Sequence, residues 1–498
     1  MRRSVATAVL AAVLAGGPAR GDSGWREVQA PHVVLRTDLG SRAAREAALT
    51  VERYRAQIIA AAWPRARLPA GDRIEMTVFS NGLDFERHFG RTIAGIFFHD
   101  VPPYAVMYGA PDTWEHRESL ATTETTSILR HELVHHLAGS VYRRQPRWFA
   151  EGLAQFLETV RTGADGKSVV VGAVNLEAVR KYNAFRSIRV ADALGWSGPV
   201  ASGPEGKLHG LYGMSWLLVH WLFNTHAAQF DQLQILLAKG IDPEKAWQVI
   251  RPGLATPDLD EALNQYVKHG EYTEFSAPFT PPAVDTREAA LSEADVHSER
   301  ARVALSAARF EPDQPRHQEE ARTELAKALE LDPGSANALV LRIREVRPEE
   351  RLPLARRLTQ AHPDDVRGWV LLGGALAGDR NAAVEREAAY RKAIALRADD
   401  PTPQHDLAWM YLQQGRAADA APLIARAVEL APYDASTLDT LAAVQARLGR
   451  CSEAAGSEAR AIDALPEGIS FDIRDGYEKR LAQYRTRCSS APAAPTAP

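Results

Sequence analysis

Two histidines four positions apart, with a glutamate directly after the first, mark the stretch Ile128-Leu129-Arg130-His131-Glu132-Leu133-Val134-His135-His136. On a helix, residues i and i+4 project from the same face, so the imidazoles of His131 and His135 can ligate one metal ion. Glu132, one step round the helix, can reach a water at that ion and take its proton. Zinc, one ion per chain, is the expected cofactor, because it lowers the pKa of such a water toward neutrality and polarises a carbonyl. The chemistry implied is hydrolysis. Leu129, Leu133, Val134 and Leu137 supply the apolar setting that a metal-bearing helix needs.

A third ligand is required, and Glu151 offers it sixteen residues after His135. It sits in Trp148-Phe149-Ala150-Glu151-Gly152-Leu153-Ala154-Gln155-Phe156, where Ala150, Gly152 and Ala154 allow a second helix to approach closely. The polar stretch between, Ala138 to Arg147, contains Pro146 and can turn the chain back. His136 points about 100° away from His135 on the helix and reads as structural or supporting. Carboxylates that orient the ligand histidines belong to such a site, and Glu158 is a candidate.

These residues resemble the gluzincins, zinc peptidases whose third ligand is a glutamate on the helix after HExxH. The likeness extends to the peptidase-MA-like family of exported bacterial metallopeptidases, whose HELxH helix and W-x-x-E-G-x-A-x-aromatic helix match His131–His135 and Trp148–Phe156. An upstream strand-helix-strand layout and Tyr212 to Trp216 also resemble that family, over roughly residues 25–275. The resemblance implies a zincin-like α+β domain in which His131, His135 and Glu151 hold zinc and Glu132 is the general base. It also makes Tyr212 a candidate for the hydroxyl that stabilises the oxyanion, with His209 and His220 as rivals and core packing as the plain alternative. Metzincins are excluded, because Ala138 and Val141 stand where that group has glycine and a third histidine.

The elements that must position these residues follow from periodicity. Val33 to Leu35 reads as a strand, Ser41 to Ala62 as a helix ended by Pro64, and Arg73 to Ser80 as an alternating strand. Leu83 to Phe89 reads as a short helix and Tyr104 to Tyr108 as a third strand. A long helical region begins near Glu118, and Leu153 to Tyr272 reads as mostly helical, with loops near 163–166 and 197–206. Residues 278–289, around Pro278, Pro281 and Pro282, read as an interdomain linker.

From residue 290 to 487 the chain becomes rich in Ala, Leu, Arg and Glu, with proline between helix pairs. Ala393, Ala427 and Ala461 recur at 34-residue spacing, as do Pro432 and Pro466, which resembles the tetratricopeptide repeat. The expected array is an all-α solenoid closed by a polar capping helix at Phe471 to Tyr484. Residues 488–498 form an Ala/Pro tail expected to be disordered.

Arg2 and Arg3 precede an apolar run, Val5 to Gly16, and small residues follow it, so residues 1–21 read as a cleaved signal peptide. The protein is then exported, periplasmic or secreted, and the catalytic domain spans 22–277. Cys451 and Cys488, the only cysteines, are plausible disulfide partners in that setting. With 498 residues, 59 basic and 63 acidic side chains, the chain has room for two or three domains and no basic field for nucleic acid. No stretch of the mature chain is apolar enough to span a bilayer. Three functions fit: a zinc peptidase acting on a peptide or protein, with the repeats binding substrate or a partner protein; a non-catalytic repeat scaffold with a structural or vestigial metal site; and a zinc hydrolase of other amide bonds.

Overall fold

A strand whose residues alternate between two buried faces must be covered on both sides. In the computed structural model, β1 (Arg26–Gln29) and β2 (Val33–Thr37) form a hairpin. Next come α1 (Ser41–Ala62), β3 (Ile74–Phe79), α2 (Gly82–Phe89), β4 (Gly95–Phe98) and β5 (Tyr104–Tyr108). The structure describes residues 24–490 except 70–72, 92–94, 99, 115–127, 197–205, 255, 257, 271, 312–313 and 466–468. The signal segment, the helix start near Glu118, the loop before Gly206 and the tail beyond 490 therefore lie outside the described residues. So does the side chain of Cys488, and with it the expected bridge to Cys451.

β2, β3 and β5 run parallel, and β4 pairs antiparallel to β5. Ile74, Met76 and Val78 of β3 face α1, whose Ala44, Ala48, Val51, Tyr54 and Ile58 form a buried stripe at spacings of three and four. Phe79, Tyr104 and Val106 face the opposite way into a second, aromatic core. That second face is closed from far along the chain.

The following stretch supplies α3 (Ile128–Val141), α4 (Arg147–Leu157), β6 (Arg161–Thr162), β7 (Ser168–Val171), α5 (Leu176–Ala184), α6 (Val190–Leu194), α7 (Gly206–Thr225), α8 (Ala227–Ala238), α9 (Pro243–Ile250) and α10 (Leu259–His269). β8 (Phe275–Pro278) pairs with β7, making with β6 a small three-stranded sheet, two strands of which fall in the region expected to be mostly helical. β9 (Arg287–Ala290) then adds to β1 as the last strand of the six-stranded sheet β4-β5-β3-β2-β1-β9. The expectation of a linker over 278–289 is corrected here. Both ends of that segment are strands, and its proline cluster spans the gap from one sheet to the other.

The array begins with α11 (Glu293–Phe310), which lies across the second face of the sheet and buries Val296, Val303 and Ala307 against Trp25, Phe79 and Tyr104. Charged groups are buried with it. Glu299 accepts from the Thr77 hydroxyl, and Arg302 bonds Glu75 and covers the Tyr104 ring at 3.8 Å. Burial opposes the charge on Glu75, but Arg302 and Arg36 hold its pKa down to about 2. Removing one partner from such a buried cluster leaves an uncompensated charge. Cleavage between residues 281 and 286 should therefore leave the two fragments associated on a sizing column at neutral pH and moderate salt. Separation into two independently folded pieces would contradict the packing of α11.

The remaining helices are α12 (Pro315–Leu331), α13 (Ala336–Glu345), α14 (Pro348–Ala361), α15 (Val366–Ala375), α16 (Ala383–Leu396), α17 (Pro401–Gln413), α18 (Ala417–Leu430), α19 (Ala435–Arg447), α20 (Cys451–Asp463) and α21 (Phe471–Ser490). α17 and α19 begin 34 residues apart, as do α16, α18 and α20, and successive helices pack as neighbours in a tetratricopeptide-like solenoid. Ala393, Ala427 and Ala461 are each fully buried, because the paired helices cross there. Asp365, Asp400 and Asp434 cap the amides that open α15, α17 and α19. Gly415 and Gly449, with φ of 76° and 78°, make the left-handed turns before α18 and α20.

Candidate metal centre

The apolar face of α3, with Leu129, Leu133, Val134 and Leu137, is buried in the main core, which leaves His131, Glu132 and His135 on the side that meets a cleft. α4 crosses beside it and brings Glu151 up to both imidazoles. The His131 and His135 Nε2 atoms lie 3.1 Å apart, and each is 3.4 Å from Glu151 Oε2. Donors about 2.0–2.1 Å from a tetrahedral zinc are separated from one another by about 3.3 Å. The three donor atoms fit that ion. Among the described residues this trio is the group of His, Cys, Asp and Glu whose ligand atoms converge closely enough to hold a metal.

Electrostatics support the convergence. Burial would lower the His131 pKa, but hydrogen bonds with Glu151 and Glu158 raise it well above the usual histidine value. Burial would raise the Glu151 pKa, but His135 and His131 hold it well below the carboxylate range. Arg147 stands 3.7 Å from the other Glu151 oxygen.

Around the trio, Glu158 Oε2 lies 2.8 Å from His131 Nδ1, which leaves Nε2 as the nitrogen turned toward His135 and Glu151. Asn175 donates to Glu158 Oε1 at 2.6 Å and caps α5 through its carbonyl. Gln155 donates to the Tyr212 carbonyl at 3.0 Å and ties α4 to α7. Glu158 was a sequence candidate; Asn175 and Gln155 were not, since neither falls at a motif spacing. The N-cap position of Asn175 ahead of α5 was the one available signal.

The other sequence candidates divide. Glu132 and Tyr212 line the same cleft as the trio. Tyr212 packs its ring against Trp196 at 5.4 Å. His220 belongs to the core: it is fully buried, bonds Tyr266 and the Gly172 carbonyl, and burial pushes its pKa down to about 4. His209 is exposed and does not line the cleft. His136 turns away from the trio and meets the Tyr433 ring of the helical array at 4.8 Å.

The close approach that the small residues anticipated is that of α4 to α7. A Cβ on Gly152 would stand 2.3 Å from the Ser215 carbonyl oxygen, a backbone atom that cannot swing aside. Gly152→Ala should therefore destabilise the protein by about 1–3 kcal/mol and displace Glu151, read as a lower Tm together with weakened zinc binding. An unchanged Tm would mean that α4 and α7 slide freely.

The cleft, about 590 Å³, is not made by one domain. Its far wall is the turn Pro432–Ala435 with the end of α20 and part of α21. Tyr433 sits over Gly139 of α3, and Arg144, just after that helix, bonds Asp463 of α20.

A family model described as a protein of unknown function, DUF1570, matches residues 125–239, the stretch that holds α3 to α8. No curated protein matches the chain. Solved structures similar to it include a thermophilic tetratricopeptide-repeat protein of Thermus thermophilus, TTC0263, at 18% identity over 37% of this chain and 99% of that one, with a TM-score of 0.32. Pseudomonas aeruginosa PilF is similar at 18% identity over 40% and 89%, TM-score 0.31. MamA of Desulfovibrio magneticus is similar at 20% identity over 31% and 91%, TM-score 0.25. Among the described residues no helix is long and apolar enough to cross a membrane.

Proposed function

We propose that this chain is an exported zinc-dependent peptidase with a zincin-like, gluzincin-type catalytic domain. The observation that carries the reading is the trio of donor atoms spaced 3.1, 3.4 and 3.4 Å apart beside an open cleft, with Glu132 on the same helix. Zinc held by His131, His135 and Glu151 would supply a Lewis acid for the scissile carbonyl and ready ionisation of the attacking water. Glu132 takes the proton from that water and passes it to the leaving amine. Tyr212 is assigned the hydroxyl that faces the developing oxyanion. Glu158 and Asn175 keep the His131 ring in its ligating tautomer. The helical array serves as a protein-binding surface for substrate or partner.

A second reading is a repeat scaffold without catalysis. It is favoured by the extent of the array, whose helices α11 to α21 run from Glu293 to Ser490. A purely structural metal site has no use for Glu132, which supports the first reading. Digestion of a peptide library by the zinc-loaded full chain separates the two. Defined cleavage products support the peptidase, and full zinc occupancy with no cleaved peptide supports the scaffold.

A further inference from the structure

The far wall of the cleft carries a guanidinium that the protein neutralises only in part. Arg460 of α20 and Arg143, just after α3, both line the cleft from opposite domains. Neither side chain makes a hydrogen bond or ion pair among the described residues, and the Arg460 Nε is buried without an acceptor. The acidic groups nearby are already engaged. Asp463 accepts from Arg144 and from the Gln145 amide, Asp434 caps α19, and Glu478 lies 3.6 Å from Arg474. Burial, reinforced by Arg143 and Arg144, pushes the Arg460 pKa down to about 10, so it stays charged at neutral pH, and the carboxylate that offsets the shift, Asp463, already accepts from Arg144. A guanidinium held in this way is unfavourable until an anion enters, and a planar carboxylate matches its paired N–H groups.

Taking the peptidase reading as premise, we propose that Arg460 and Arg143 form a carboxylate-binding subsite, so that the cleft selects peptides presenting a carboxylate to the repeat wall. That carboxylate comes either from the peptide's C-terminus or from an Asp or Glu side chain. The array then contributes directly to substrate choice. A catalytic domain lacking α20 would lose that selectivity.

The test uses three labelled peptides of one neutral sequence: C-terminally amidated, with a free C-terminus, and amidated with one internal glutamate. Each is titrated into the zinc-loaded full-length Glu132→Gln chain, so that no peptide is consumed. At least one carboxylate peptide should bind about tenfold more tightly than the neutral amide, the size of one charge-assisted contact. The tighter of the two names the source. Arg460→Gln should bring the ratio close to one. Arg143→Gln, at an exposed position, should lower it about threefold and keeps the test decisive if Arg460→Gln does not fold. Equal affinity for all three peptides, binding of none, or a ratio unchanged in the variants that fold overturns the subsite. Cleavage by the wild-type chain is scored separately. Discrimination without cleavage removes the peptidase reading and keeps the subsite; cleavage without discrimination does the reverse.

Discussion

Glu132→Gln is expected to retain about one zinc per chain and to lose hydrolysis by about 10²–10⁴-fold, the usual worth of general-base assistance. The substitution keeps the side chain's size and hydrogen bonding and removes only the basic carboxylate. Glu132 is not among the three converging donors, so the metal has no reason to leave. Its place on α3 is fixed by neighbours on either side: His131 is a donor to the site, and Leu133 is fully buried in the core. The measurement is turnover of any peptide the wild type cleaves, with zinc content determined on the same sample. Equal activity of variant and wild type would rule out the mechanism, whatever the fate of the zinc.

Glu151→Ala should abolish stoichiometric zinc binding, leaving two imidazoles where three ligands are needed. No described neighbour is placed to substitute. His136 faces Tyr433, and Glu158 is committed to His131 Nδ1 and Asn175. Glu158→Gln provides the graded comparison, because it leaves the three donors and weakens only their support; a loss of about 10–100-fold in zinc affinity is expected. Metal analysis after dialysis against a weak chelator reads both. Full zinc content in Glu151→Ala would exclude Glu151 as a ligand.

Much of the site was legible because its signals are local. The i, i+4 histidines, the helix that bears Glu151 and the small residues around it depend on helical geometry alone, and the structure brings the three side chains to one point. The strand at Ile74–Phe79 was likewise given by alternation and the helix Ser41–Ala62 by a three-four stripe, and short strands were also expected at Val33–Thr37 and Tyr104–Tyr108. What escaped is non-local. β9 is a four-residue strand, Arg-Glu-Ala-Ala, whose composition favours helix; its pairing with β1 overrides that propensity. β7 and β8 are short strands that find each other across more than a hundred residues, which no period in the sequence reports. The repeat wall of the cleft is less legible still. Tyr433 and Arg460 sit in the repeats at positions with no site signature, and only the packing of the array against the first domain carries them to the cleft.

The β1–β9 pairing also sets an order of events during synthesis. Arg26 and Glu288, whose side chains bond across these two strands, are separated by 262 residues. At about 5–20 residues per second, β1 waits roughly a quarter of a minute to a minute for β9 to emerge. Throughout that interval the β1 edge of the sheet stands unpaired, and its aromatic face lacks the cover of α11, a template for wrong partners of the kind chaperones exist to shield. The chain therefore completes its first domain only after its second has begun.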